Sequence, residues 1–232
     1  MEHINSIYVL VYNLVRGPLV WISSIIFIVG TIYQIWQMLL LTKINTRPII
    51  KVFDKQYNET HEKNKEESCF SSLKRTICGI HPIMIVVTTL FHILLIIIPL
   101  TLLAHNILLE NAVGFSLFSF SEKISDILTV LFLVSSFFFF IRRIFLKRVR
   151  IISTFYDYFI WFLATAPFLT GFLAYHHIFN YRIIITLHIF LGELMLVAIP
   201  FTKFSHMIFF FVFRFIVVNE YSFRKHQVIR TW

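Results

Sequence analysis

Four histidines sit where a histidine is expensive. His92 and His105 lie in IMIVVTTLFHILLIIIPLTLLAHNILL, and His188 and His206 in LHIFLGELMLVAIPFTKFSHM, two runs that are otherwise almost wholly apolar. The second run also carries Glu193 and Lys203. On insertion scales a Lys or Asp at the centre of a membrane helix costs at least ~2.5 kcal/mol. Imidazoles in such a setting can bond a neighbouring helix, bind a transported ion or ligate a metal. Spacing narrows the choice. His188 and His206 are 18 residues apart, which is about five turns of an uninterrupted helix and puts both on one side.

The elements that must position these residues are membrane spans. Hydrophobic residues make up 58% of the chain and charged ones 14%, against about 25% charged in a soluble domain. A helix needs about 20 apolar residues to cross the hydrocarbon core. Five segments qualify, near 18–41, 82–109, 124–141, 154–175 and 183–213. The expectation is an all-α membrane protein: a single domain over 1–232 built as a bundle of five transmembrane helices. The polar stretch 42–80 is expected to be a small extramembrane loop with a short amphipathic helix. No cleavable signal peptide is read at the N-terminus. Cys69 and Cys78 are nine apart and match neither CxxC nor CxxCH, which argues against covalent haem attachment and against a zinc or iron–sulfur site in this chain.

Charge sets an expected orientation. Segment 42–80 holds eight Lys and Arg, 142–150 five and 214–232 four, so 17 of the 21 fall on one side. Arg16, Lys123 and Arg182 fall on the other, and Lys203 lies within a span. The positive-inside rule predicts the N-terminus outside and the C-terminus in the cytoplasm. The net charge of +9 is thereby a topology signal, and nucleic-acid binding is not expected.

Depth then pairs the histidines. At ~1.5 Å per residue, His92 is ~16 Å from the cytoplasmic start of its span and His206 ~12 Å from Arg214. On the outer side, His105 is ~8 Å from Glu110 and His188 ~9 Å from Arg182. Spans two and five run in opposite directions, so His92 matches His206 and His105 matches His188. Two histidines on facing helices at one depth suit the axial positions of a b haem, and two such pairs would stack two haems across the bilayer. His92 and His105 are 13 residues apart, off one face of a straight helix, with Pro99 between them to kink it. His81 and His92 are 11 apart and form a competing pair, but His81 precedes a proline suited to a first helical position and so sits at the interface. His3, His61 and His226 lie in polar flanks; His176 and His177 lie at a span edge. Interhelical hydrogen bonding is the alternative for all four buried histidines.

The run LHIFLGELMLVAIPFTKFSHM, with RRIFLKRVRIIST and TLFHILLIIIPLTLLAH before it, resembles the nitrate reductase gamma subunit family of membrane cytochromes b. The stretches DYFIWFLATAPFLTGFLAYHH and GELMLVAIPFTKFSHM are similar, closer still, to the cytochrome b subunits of the Dsr and Tmc redox complexes; the membrane subunit of heterodisulfide reductase is a related form. The resemblance covers about residues 85–215. It implies five spans, an outside N-terminus, a prokaryotic cytoplasmic-membrane location and two bis-histidine b haems, with ligands at His92, His105, His188 and His206. The span-two histidines are three residues further apart than in the nitrate reductase subunit, which favours the Dsr/Tmc-like branch.

The resemblance also implies exchange with a quinone, menaquinone or ubiquinone. Glu193, His176 and Lys123 are the quinone-site candidates near the outer pair, and a structural reading is available for each: a hydrogen-bonded acid, a solvated or capping imidazole, an edge marker. Lys203, Arg142, Arg143 and Arg148 are candidates to pair with haem propionates, although snorkelling and topology account for most of that basicity. Asp157 could pair with one of these arginines. Expected partners are a cytoplasmic iron–sulfur subunit resembling heterodisulfide reductase, a periplasmic multihaem cytochrome c, further membrane subunits and lipid. With no cysteine cluster and no nucleotide loop, no terminal catalytic site is expected. The competing expectations are a nitrate reductase gamma subunit and, in another class, a haem-free transporter or scaffold.

Overall fold

The computed structural model describes residues 2–61 and 82–210, with side chains over 6–40 and 83–210. Cys69, Cys78, His81, His226 and the basic stretch 214–232 lie outside the described residues. In chain order the elements are α1 (Glu2–Leu14), a π turn (Val15–Leu19), α2 (Val20–His61), α3 (Pro82–Thr101), α4 (Leu103–Val113), α5 (Glu122–Phe145), α6 (Lys147–Ile151), α7 (Phe155–Tyr175) and α8 (Tyr181–Phe201). No strand occurs among the described residues. Five helical stretches are long and apolar enough to cross a membrane: Ser6–Leu40, Ile83–Thr101, Glu122–Phe145, Phe155–Tyr175 and Tyr181–Phe201.

The helices differ from the expected spans at three places. The first span starts at Ser6 instead of near 18, because Gly17 and Pro18 are absorbed in the π turn, a local widening that tolerates the missing proline N–H. Helix α2 then continues to His61, so the first half of the polar stretch 42–80 is helical. Residues 42–61 contain no glycine and one proline, Pro48; a helix needs no apolar stripe if breakers are few. Spans two and five are also each interrupted. The second breaks at Leu102, in extended conformation with φ −71° and ψ 127°. The fifth stops at Phe201, one residue after Pro200, and resumes at 205–210. The five-turn count from His188 to His206 therefore crosses a break and does not fix their relative faces.

The chain forms two compact units, Asn58–His188 and Met1–Tyr57 with Ile189–Trp232. In the first, α3 and α7 both pack on α5. The buried face of α5 runs Ser125, Thr129, Phe132, Ser136, steps of three and four that keep one side of a helix. Phe132 is fully buried between Phe91 of α3, stacked at 4.9 Å, and Phe168 of α7 at 4.0 Å. Around this column the contacts are small and polar. The Ser136 and Thr165 hydroxyls meet at 2.5 Å, and the Trp161 indole donates to the Ser136 carbonyl at 3.0 Å. In lipid the hydrophobic effect does not drive helices together, so close packing and such bonds carry the association, at about 0.6 kcal/mol per bond. The large side chains left outside are apolar, including Val86, Ile93, Ile127 and Val134, as a lipid-facing surface requires.

In the other unit, α2 and α8 come close at Gly30. A Cβ on Gly30 would lie 2.9 Å from Cγ of Pro200 and 3.1 Å from Cζ of Phe201, so the absence of a side chain at 30 is what lets the two helices approach.

The break in span two is fully accounted for. A helix that stops leaves its last four carbonyls without helical partners. Here the Ile98 carbonyl accepts from the Leu102 N–H at 3.0 Å, Pro99 from the His105 ring at 3.0 Å, Leu100 from the Asn106 amide at 3.1 Å, and Thr101 from the Phe120 N–H at 3.1 Å. Asn106, buried, also donates to the Ser119 hydroxyl at 3.0 Å and accepts from the Leu117 N–H at 3.0 Å. It thereby ties the loop 114–121 to the break. Asn106→Ala is expected to destabilise the fold by about 2 kcal/mol, the cost of leaving buried backbone groups unpaired. Thermal unfolding in detergent checks this, and an unchanged midpoint would show that the clamp is dispensable.

Candidate functional site

The structure brings His105 and His188 together. Their rings are 5.9 Å apart between centroids and nearly parallel, with 19° between planes. Each ring nitrogen Nδ1 donates to a proline carbonyl: His105 to Pro99 at 3.0 Å and His188 to Pro167 at 2.8 Å. The first bond exists because the break at Leu102 releases the Pro99 carbonyl from helical pairing. The second reaches from α8 to α7. A neutral imidazole that donates from Nδ1 carries its lone pair on Nε2, so both rings present the nitrogen that ligates metals, with the tautomer fixed from behind.

Helix α7 shapes the seat of His188 with Pro167, Thr170 and Gly171, positions i, i+3 and i+4 on one face. Gly171 lies against the ring: a Cβ there would be 2.9 Å from Cε1 and 3.2 Å from Nδ1. The Thr170 hydroxyl, donated to the Ala166 carbonyl at 2.7 Å, is 3.4 Å from Nδ1. None of Pro167, Thr170, Gly171 and Asn106 stood out as a site residue in the sequence. The spacing of three and four residues that sets Thr170 and Gly171 on the face of Pro167 was the available signal.

The other two histidines share the same bonding habit. His92 donates from Nδ1 to the Thr88 carbonyl at 2.7 Å, and His206 to the Lys203 carbonyl. His92 belongs to the Asn58–His188 unit and His206 to the other.

Two imidazoles on opposite sides of one metal, each about 2 Å from it, have ring centres about 6 Å apart. The 5.9 Å separation of His105 and His188 is compatible with that spacing, and their Nδ1 bonds leave Nε2 for ligation. These residues fit a bis-imidazole haem iron. Among the described residues no three or more His, Cys, Asp or Glu side chains gather as a metal site; an axial pair needs only two, because the porphyrin supplies the other four donors.

The remaining candidates are dispersed. Glu193 is 5% exposed, and neither carboxylate oxygen has a hydrogen-bond partner among the described residues. His176 is engaged at the end of α7, where its Nε2 lies 2.8 Å from the Asp126 carboxylate; beside it the Tyr175 hydroxyl donates to Glu122 at 3.3 Å. Lys123 and Lys203 are exposed, Arg148 is exposed and Arg142 half-buried. Arg143 lies 3.9 Å from Asp157 and 5.6 Å from the Tyr158 ring. Asp157 also closes the N-terminus of α7 by accepting from the Thr154 N–H at 2.9 Å and its hydroxyl at 3.0 Å. Arg143 is thus engaged by a carboxylate of this chain.

Over 233 residues the chain is 33% identical to a protein of Nitratidesulfovibrio vulgaris (strain Hildenborough), an alignment that takes in 94% of this chain and 97% of that one. The chain belongs to that protein's family. No protein-family model matches the sequence, and no solved structure matches it.

Proposed function

We propose that this chain is a dihaem b subunit of a respiratory redox complex, carrying electrons between the quinone pool and a cytoplasmic iron–sulfur partner. The observation that carries the reading is the His105–His188 pair: parallel imidazoles 5.9 Å apart, each with Nδ1 held by a backbone carbonyl. When bound, a b haem supplies a one-electron couple whose potential follows its axial ligands and their hydrogen bonds.

The chain's own residues then have distinct tasks. His105 and His188 would hold the outer iron, with Pro99 and Pro167 orienting them. His92 and His206, each oriented by a carbonyl of its own segment, would be the ligands of the inner one. Phe91, Phe132 and Phe168 exclude water from the interior. Arg142 and Lys203 compensate propionate charge; Arg143 contributes less, being shared with Asp157. Glu193 handles protons for a quinone beside the outer site, with His176 and Lys123 nearer the aqueous edge. The distribution of Lys and Arg supports an outside N-terminus and a cytoplasmic C-terminus in the cytoplasmic membrane of a prokaryote. The basic ends and loops face the cytoplasmic partner, and the outer side is left for a multihaem cytochrome c.

One observation favours a second reading. His105 completes the broken helix by satisfying Pro99, a task that needs no haem, as in a membrane scaffold or transporter. Haem per polypeptide on the purified protein, with a reduced-minus-oxidised spectrum and a redox titration, separates the two. Two non-covalent b haems with distinct potentials are expected. A folded protein that binds none would overturn the proposal and leave the histidines as helix-pairing residues.

A further inference from the structure

We infer that Gly171 is a positioning residue for the His188 imidazole, and that with Pro167 and Thr170 it fixes the plane in which that ring is presented to its iron. The inference rests on the dihaem reading. The ring of His188 is confined on two edges by one face of α7. On the Nδ1 edge, the Pro167 carbonyl accepts at 2.8 Å and the Thr170 hydroxyl stands at 3.4 Å. On the Cε1 edge, the space is what a glycine leaves: a Cβ at 171 would stand 2.9 Å from Cε1, 3.2 Å from Nδ1 and 3.8 Å from Nε2.

A methyl group at 171 therefore cannot be added with the ring in place. The ring must rotate or withdraw, and either movement breaks the Nδ1–H bond to Pro167 and the 19° alignment with His105. Both changes act on the iron. The Nδ1 bond sets how strongly the imidazole donates through Nε2, and the angle between the two axial planes sets the electronic anisotropy of the oxidised haem. Gly171 touches neither iron nor porphyrin on this account; it acts through His188.

The test uses the full-length protein in detergent, comparing Gly171→Ala with the native chain by redox titration of each haem and by low-temperature EPR of the oxidised protein. The expected result is two haems per chain, one with an altered EPR signal and a potential displaced by 59 mV or more, which is a tenfold change in a one-electron equilibrium, while the other keeps both properties. Should Gly171→Ala fail to accumulate as folded protein, Thr170→Val carries the same comparison, because it keeps the shape of the side chain and removes the hydroxyl beside Nδ1, together with its bonds to the Ala166 and Pro167 carbonyls; a selective displacement of the same haem in the same two readouts is expected. Two haems per chain with unchanged potentials and signals in the folded variant would overturn the role of Gly171 and leave the dihaem reading standing. A native protein without haem would instead overturn the reading on which the inference rests.

Discussion

His188→Ala is expected to leave one b haem per chain where the native protein holds two, and His105→Ala is expected to remove the same one. A non-covalent b haem is retained by its two axial bonds and by the apolar surfaces it covers, so an iron stripped of one imidazole is lost or displaced during purification. The geometry makes a sharper demand than either single variant. Because His105 and His188 face each other at 5.9 Å, they act as one unit. The double variant should therefore lose no more haem than either single one, whereas substitutions at two separate sites would add. His206→Ala should remove the other haem and spare this one. Haem per polypeptide, measured on samples with native far-UV circular dichroism, decides the matter. Two haems retained in His188→Ala, or none retained, would break the assignment of this pair to one iron.

The spans were legible because hydrocarbon imposes length and composition on a helix with little room for compromise. Their interruptions were not. Pro99 was expected to kink span two, but the chain gives way three residues later, at Leu102. The break is set there by what is available to take the released carbonyls: His105 and Asn106 on the next helix, and the backbone of Phe120 across a loop. Such partners lie between 6 and 19 residues downstream and leave no periodic trace. In the same way the 13-residue offset of His92 and His105 looked awkward only on a straight helix; the extended residue at Leu102 resets the phase. In span five the opposite occurred. The tidy five-turn spacing of His188 and His206 presumed a continuous helix, and α8 ends at Phe201. For the site, residue type and depth pointed to His105 and His188, but the groups that orient them are mostly backbone carbonyls, which every residue has and no sequence reading can single out.

Glu193→Gln is expected to slow quinol oxidation by about a hundredfold or more, the usual contribution of a positioned proton acceptor, with haem content unchanged. The acid is buried on α8 with both oxygens unpartnered among the described residues. A polar group in that state is a standing cost to the fold, several kcal/mol if charged, and a span that carries one without using it would be more stable with leucine. Its place on the helix is consistent with use. It follows His188 by five residues, a rise of ~7.5 Å, close enough to serve a quinone beside the outer site yet turned away from the ring of His188. Glutamine keeps the shape and cannot accept a proton from a quinol. A purely structural acid would behave differently: its replacement would move the unfolding midpoint and leave the rate alone. The pair of measurements, quinol oxidation and thermal unfolding on the same haem-loaded sample, separates these cases. An unchanged rate removes Glu193 from proton transfer and passes that task to the His176–Asp126 pair at the aqueous end of α7.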